Sequence, residues 1–190
     1  MNVPGTLASL IAIVGPSGVG KDSLINGARD HLADVHFMRR AITRPQDAGG
    51  EDHQALNEAE FAAHRDSGRF LFTWQAHGLS YGISVEARQM CQRGQAVVFN
   101  GSRHALAAQR RAWPDMKIIW VTASPGIRAE RLAARGRETR DQIIERLSAD
   151  RLTIPDDAIL VENEGSLQDG IEQMAAAIRR LASGRQGETS

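Results

Sequence analysis

Two glycines and a lysine near the start of the chain have the spacing of a phosphate-binding loop, or P-loop. Gly15 and Gly20 are separated by four residues, and Lys21 follows directly. In such a loop, backbone N–H groups and the first turn of a helix surround a polyphosphate such as that of ATP, and the lysine reaches its β- and γ-phosphates. The predicted ATP-binding segment consists of Gly15, Pro16, Ser17, Gly18, Val19, Gly20, Lys21, Asp22 and Ser23.

One position in this segment departs from the P-loop pattern. A Ser or Thr that binds Mg²⁺ normally follows the lysine, whereas this chain has Asp22 there and a hydroxyl group only at Ser23. Because Mg²⁺ prefers oxygen ligands, Asp22 is predicted to hold the metal. The alternative is that Asp22 only stabilises the N-terminus of a helix through the helix dipole, with Ser23 or water serving the metal.

The residues on either side of the loop predict the elements that position it. The apolar run 10–14 is typical of a buried parallel strand, and Leu24, Ile25, Ala28 and Leu32 follow the loop at helical spacing. A dinucleotide site requires the spacing G-x-G-x-x-G, whereas the glycines here are spaced in the reverse order. The strand, loop and helix together therefore favour a nucleotide-triphosphate site.

Strands and helices alternate along the rest of the chain, which predicts an α/β fold with a parallel sheet and helices on both faces. The 190 residues are predicted to form one domain. A polar segment around Pro45 and Gly49 starts a substrate-binding insertion, and an arginine-rich stretch with helices over 127–135 and 140–152 is predicted to be a mobile lid. The predicted parts are the core 1–38, 84–123 and 154–183, the insertion 39–83, the lid 124–153 and a disordered tail 184–190.

Within the core, short strands are predicted at 35–40, 96–99, 117–122 and 158–161, and helices at 85–93 and 102–111. Within the insertion, Asn57 and Glu60 form the pattern of a capping box at the start of a helix, and Phe70, Phe72 and Trp74 alternate like a half-buried strand. The carboxyl ends of parallel strands form the edge of the sheet at which ligands bind. The residues that follow strand 96–99 are therefore candidates for ligand contact.

The composition restricts the class of protein. The formal net charge is zero, so it gives no reason to expect nucleic-acid or membrane partners, and a homodimer is left open. Cys91 is the single cysteine, which excludes an internal disulfide, and we expect it only to be packed. With no signal peptide or long apolar span, the chain is predicted to be cytoplasmic.

The order of P-loop, insertion, arginine-rich lid and last strand resembles the nucleoside monophosphate kinases, and the middle segment resembles the guanylate kinases in particular. The matching motifs are GPSGVGKD at 15–22, Thr43-Arg44-Pro45, Asp52-His53 and Ser80-Tyr81-Gly82. The resemblance covers most of the chain. It implies a kinase that uses ATP and Mg²⁺.

Three departures from the guanylate kinase pattern affect the predicted substrate. A second arginine is missing at 45–47, His53 replaces a tyrosine, and the glutamate that reads the guanine edge is absent near Trp74. A buried base N–H left unpaired costs about 1–3 kcal/mol, which argues against guanine. The segments GKDSL at 20–24, WQAHGLSYGI at 74–83 and FNGSR at 99–103 instead resemble the ribose 1,5-bisphosphate phosphokinase family, guanylate-kinase-like enzymes of phosphonate breakdown.

That resemblance implies a reaction in which the γ-phosphoryl group of ATP is transferred to ribose 1,5-bisphosphate, a small sugar phosphate, to give ADP and 5-phosphoribosyl 1-diphosphate. The catalytic residues would be Lys21, Arg135, Arg137 and Arg146, the arginines closing over the transferring group. The substrate-binding candidates are Arg39, Arg40, Thr43, Arg44, His53, His77, Tyr81, Asn100 and Arg103. Because guanylate kinases have aspartate where Asn100 stands, Asp22 would carry the metal and Asn100 would contact the acceptor.

Two other functions remain open from the sequence. A nucleoside monophosphate kinase with altered base choice would share most of the motifs. A non-catalytic guanylate-kinase-like module that binds a protein would not need Lys21 or the lid arginines.

The lid arginines themselves can also be interpreted as a solvated helix face stabilised by i,i+4 pairs. Asn163, near the end of the last predicted strand, is a further candidate to seat adenine.

Overall fold

The computed structural model describes residues 8–46, 51–134, 143–144, 147 and 153–183. Its strands are β1 Leu10–Val14, β2 Val35–Met38, β3 Arg40–Ile42, β4 His53–Ala55, β5 Phe70–Ala76, β6 Leu79–Ser84, β7 Ala96–Asn100, β8 Lys117–Thr122 and β9 Ile159–Glu162. Its helices are α1 Lys21–Arg29, α2 Glu58–Asp66, α3 Glu86–Gln92, α4 Leu106–Ala112, α5 Pro125–Ala134 and α6 Leu167–Ala182.

A parallel five-stranded sheet in the order β2-β7-β1-β8-β9 forms the core. Every residue of the central strand β1 is fully buried, as its continuous apolar sequence predicts for a strand covered on both faces. Ile11 and Ile13 pack on one face with residues of α1 and α6, whereas Leu10 and Ala12 pack on the other with residues of α3 and α4. The predicted α/β fold with helices on both faces is confirmed.

The insertion contains a second sheet that the sequence did not fully predict. Its order is β4-β3-β6-β5, with β3 and β4 parallel and the other two pairs antiparallel. The prediction of a single strand over 35–40 is wrong. The chain changes sheets at Arg39, so that β2 belongs to the core sheet and β3 to the second sheet. The predicted capping box is present, with Asn57 and Glu60 each accepting from the backbone N–H of the other.

Two helices begin at least two residues away from their predicted starts. Helix α4 begins at Leu106 rather than at residue 102, because residues 103–105 form a turn between β7 and the helix. Helix α5 begins at Pro125 rather than at residue 127, since proline is well tolerated in the first turn of a helix. The predicted tail and most of the helix predicted over 140–152 lie outside the described residues.

The expectations about Cys91 and about long apolar segments can be compared directly with the structure. Cys91 is fully buried in α3, and this burial raises the pKa of its thiol to about 11, so the thiol stays protonated and packs as a small apolar group. Among the helices that the structure describes, none is long and apolar enough to cross a membrane.

Candidate active site

Side chains from α5 and from the end of β9 hold the carbonyl groups of the P-loop. Arg128 Nε donates to the Ser17 carbonyl at 2.9 Å. Asn163 Nδ2 donates to the Val19 carbonyl at 2.7 Å, and Arg131 donates to the same oxygen at 3.2 Å. Because the N–H and C=O bonds of a peptide chain point in roughly opposite directions, anchoring these carbonyls outside the loop directs N–H groups toward its inside, where a phosphate binds.

The loop conformation also depends on close backbone approach. Gly15 has φ +155, and a Cβ atom built on it would lie 2.3 Å from the Val121 carbonyl oxygen of β8. Any side chain at this position would push the loop away from the sheet. Val19, by contrast, is fully buried in the core and anchors the loop from below.

Lys21 lies over the mouth of the loop. Its Nζ donates to the Gly15 carbonyl at 2.9 Å and to the Pro16 carbonyl at 3.3 Å. The ammonium group is thus held above the backbone that would surround the phosphates, which is where a P-loop lysine acts on β- and γ-phosphates.

Asp22 and Asn100 meet at the floor of the site. Asn100 Nδ2 donates to Asp22 Oδ1 at 2.8 Å, which joins the start of α1 to the end of β7. Asn100 Oδ1 is buried and has no hydrogen-bond partner within the described part of the chain. These oxygens suit Mg²⁺, which takes one or two protein oxygens and completes its shell with phosphate and water. No group of three or more His, Cys, Asp or Glu side chains forms a metal cluster among the residues described.

A cavity of about 710 Å³ lies between the core sheet and the insertion. It contains many of the predicted site residues, although they come from distant parts of the sequence. Its lining includes Gly15, Ser17, Gly18, Gly20, Lys21, Asp22, Ser23, Arg40, Arg44, His77, Tyr81, Asn100 and Arg103. Glu51, Trp74 and His104 also line it and were not predicted as site residues.

The Arg40 guanidinium is paired with a carboxylate inside this cavity. Its Nε donates to Glu51 Oε2 at 2.9 Å, and its NH2 donates to Glu51 Oε1. The same guanidinium lies 5.0 Å from the centre of the Tyr81 ring, and Tyr81 stacks on Trp74 with their rings 5.4 Å apart. The charge of Arg40 is therefore largely compensated, and the layered side chains form a nearly neutral wall.

Arg44 is positioned by His53, which was predicted to bind substrate. The His53 ring is buried, with its two nitrogens 3.0 Å from the Glu51 carbonyl and 3.1 Å from the Arg44 carbonyl. It thus connects the backbone at Arg44 with the backbone at Glu51. Arg44 NH2 lies 3.3 Å from the ring, and its buried Nε has no hydrogen-bond partner among the described residues.

Two more predicted substrate residues do not line the large cavity. Thr43 Oγ1 accepts a hydrogen bond from the Ser80 backbone N–H at 2.8 Å, so its hydroxyl joins β3 to β6. Arg39 forms an exposed ion pair with Asp52. The lid residues Arg135, Arg137 and Arg146 lie outside the described residues.

Positive groups are concentrated on the core side of the cavity. Burial lowers the pKa of Arg103, and the nearby charge of Arg128 lowers it further. The pKa of Arg128 is lowered by burial. Partial burial also lowers the pKa of His104, with smaller contributions from the charges of Arg103 and His77. These shifts mark a region in which positive charge is costly until an anion is bound.

Sequence reasoning missed the residues that support the P-loop from behind. Arg128 and Arg131 were only part of an arginine-rich segment, and Asn163 was considered for adenine. In the structure Asn163 is 3% exposed, and its amide group donates a hydrogen bond to the Val19 carbonyl. The spacing of Arg128 and Arg131 on one helix face was a usable signal, but nothing in the sequence indicated which carbonyls they would meet.

Comparisons with known proteins agree with this arrangement. A family model described as "AAA domain" matches residues 11–153. The chain is 47% identical over 177 residues to ribose 1,5-bisphosphate phosphokinase PhnN of Rhizobium etli, covering 90% of each protein. It is 40% identical over 182 residues to the protein of the same name from Agrobacterium fabrum, covering 93% of this chain and 100% of that one. The chain belongs to the ribose 1,5-bisphosphate phosphokinase family.

Some members of the ribose 1,5-bisphosphate phosphokinase family are longer. A bifunctional ribose 1,5-bisphosphokinase-thymidine phosphorylase of Cupriavidus pinatubonensis is 42% identical over 174 residues, but these cover 29% of that protein. Among solved structures, guanylate kinase from Anaplasma phagocytophilum matches with a TM-score of 0.67 and 13% identity over 96% of this chain and 89% of that one. At that identity the likeness concerns the fold alone, and it confirms the predicted guanylate-kinase-like fold.

Asn163→Ala tests whether the carbonyl contacts organise the P-loop. Removing the 2.7 Å bond to Val19 is expected to weaken ATP binding by about fivefold to tenfold, near the value of one net hydrogen bond. Calorimetric titration with ATP measures the effect. Asn57→Ala, which removes the α2 cap at a cost of about 1 kcal/mol in stability, is the control and should leave ATP affinity unchanged. Equal losses of ATP affinity in both variants would mean that only general stability is involved.

Proposed function

We propose that this protein transfers the γ-phosphoryl group of ATP to the 1-phosphate of ribose 1,5-bisphosphate, releasing ADP and 5-phosphoribosyl 1-diphosphate. One observation carries the proposal: the P-loop and the Arg44 guanidinium, with its unsatisfied buried Nε, line the same cavity. A donor triphosphate and an acceptor phosphate can therefore be held side by side. The names of the relatives support the same acceptor.

On the donor side, the N–H groups of Ser17, Gly18 and Gly20 and the Lys21 ammonium are proposed to bind the phosphates of ATP. Asp22 would hold Mg²⁺ directly or through water, steadied by Asn100. When bound, the metal supplies positive charge to the phosphate oxygens during transfer. Arg135, Arg137 and Arg146 are proposed to close over the transferring group.

On the acceptor side, Arg44 is proposed to bind the 1-phosphate. An oxygen of this phosphate attacks the γ-phosphorus, a new P–O bond forms, and the bond from that phosphorus to the β,γ-bridging oxygen breaks with its electrons remaining on ADP. The attacking phosphate is already ionised, so the protein's main task is to position the two groups and compensate their charge. Tyr81, Asn100, Arg103 and His77 are the other proposed acceptor contacts, while Arg39, Arg40, Thr43 and His53 are proposed to position them or the strands around them.

The walls of the cavity favour a sugar phosphate over a guanine nucleotide. In the part of β5 where guanylate kinases carry the glutamate that reads guanine, this chain has Phe72, which is buried, and Trp74, which stacks on Tyr81. Among the described residues of the insertion, Glu51 is the carboxylate that lines the cavity, and it is already held by Nε and NH2 of Arg40. A guanine edge would therefore lack a ready acceptor, and its unpaired N–H groups would weaken binding.

Arg44→Ala tests the proposed acceptor site. Loss of a charge-assisted contact to phosphate, worth about 1.5–3 kcal/mol, should raise the KM for ribose 1,5-bisphosphate about 10- to 100-fold and leave the KM for ATP nearly unchanged. Arg65→Ala on the exposed face of α2 is the matched control and should change neither constant. A rise in the KM for ATP without a rise for the acceptor would place Arg44 on the donor side.

Asp22→Asn tests the proposed metal residue. The variant should need a several-fold higher Mg²⁺ concentration for half-maximal turnover, because an amide binds Mg²⁺ more weakly than a carboxylate. Its melting temperature should change little. Asp169→Asn, in the first turn of α6, is the control for helix-dipole effects and should lower stability by about 0.3–1 kcal/mol without changing the Mg²⁺ requirement. If Asp22→Asn behaves like this control, the carboxylate acts only on the helix.

A further inference from the structure

The tip of the β5–β6 hairpin carries a histidine in an unusual backbone conformation. Ala76 pairs with Leu79, so His77 and Gly78 form a two-residue turn, and their φ angles are 53 and 74. Positive φ at both positions is the pattern that favours Asn-Gly. Histidine tolerates positive φ better than most residues, but the turn does not require it, and this residue lines the large cavity.

His77 faces a second histidine from the core. His104 follows β7 in the turn 103–105 and lines the same cavity. The charges of Arg103 and His77 both act on His104, and the charge of Arg128 acts on Arg103. We call these four side chains, Arg128, Arg103, His104 and His77, the cationic band. It extends from the P-loop, where Arg128 contacts Ser17, to the hairpin tip.

We infer that His77 and His104 bind the phosphate of the acceptor that does not react, the 5-phosphate of ribose 1,5-bisphosphate. This inference rests on the proposed function. The 1-phosphate must lie beside the γ-phosphoryl group, at the P-loop end of the cavity, whereas the two histidines form the other end of the cationic band. Arg40 is a poor alternative because Glu51 compensates its charge. The second cavity carboxylate, Asp22, accepts from Asn100 at the P-loop end.

Such a site predicts a proton linkage. Partial burial and, to a smaller extent, the neighbouring positive charges lower the pKa of His104 and favour its neutral form in the free protein, whereas a bound phosphate dianion favours the charged form. At a pH between the pKa of His104 in the free protein and its higher pKa in the complex, binding of the bisphosphate therefore takes up a proton. The affinity should accordingly fall as the pH is raised through this range, and the dependence should weaken when the histidines are replaced.

The test compares three ligands in the absence of ATP: ribose 1,5-bisphosphate, ribose 1-phosphate and ribose 5-phosphate. The variant carries both His77→Asn and His104→Ala. Asn is chosen at position 77 because it is favoured at positive φ in this type of turn. By calorimetric titration the double variant should bind the bisphosphate and ribose 5-phosphate about tenfold more weakly than the wild type, and ribose 1-phosphate within about twofold. His31→Asn, which changes an exposed histidine outside the cavity lining, is the control and should leave all three affinities unchanged.

A second measurement uses two buffers of different ionisation enthalpy to obtain the protons taken up on binding. Uptake with the bisphosphate should decrease in the double variant and not in the His31 control. Equal weakening of all three ligands, or unchanged affinity for the bisphosphate, would overturn the inference. Turnover of the bisphosphate with ATP is measured separately: if the binding pattern holds but the wild type forms no product, the phosphate site stands and the proposed reaction fails.

Discussion

The site depends on one constraint, which is that a loop can offer its N–H groups to phosphate only if its carbonyl groups are bonded elsewhere. In this protein Arg128, Arg131 and Asn163 supply those bonds from α5 and the end of β9. Lys21 bonds the first two carbonyls, and the Gly20 carbonyl accepts from the Leu24 N–H inside α1. The core sheet brings these donors to the loop, because β1 lies between β7 and β8, and β9 follows β8.

The distribution of charge around the cavity follows from a second constraint. A bisphosphate and a triphosphate bring many negative charges together, so any carboxylate in the cavity must be compensated. Glu51 is paired with Arg40, and Asp22 accepts from Asn100. The positive groups are divided between Arg44 on the insertion and the cationic band, which extends from the core to the tip of the β5–β6 hairpin. This arrangement leaves a nearly neutral wall of Arg40, Glu51 and Tyr81 against which a sugar ring can lie.

The parts of the structure that were predicted correctly are those with local signals. The P-loop, α1 and β1 follow from residues that are adjacent in sequence, and the α2 capping box spans only three residues. Contacts between distant residues could not be predicted in the same way. Arg128 reaches Ser17 across 111 positions, Asn163 reaches Val19 across 144, and Thr43 uses its hydroxyl on Ser80 across 37. Residue type suggested a ligand contact for Thr43 and Arg40, but tertiary pairing decided their partners.

The most direct test of this account is the choice of acceptor by the wild-type protein. Equal concentrations of ribose 1,5-bisphosphate and GMP are supplied with ATP and Mg²⁺, and ³¹P NMR identifies the products. The account predicts the paired resonances of a diphosphate on carbon 1 of ribose 5-phosphate, formed in equal amount to ADP, with GMP unchanged. Formation of GDP, with ribose 1,5-bisphosphate left intact, would contradict it.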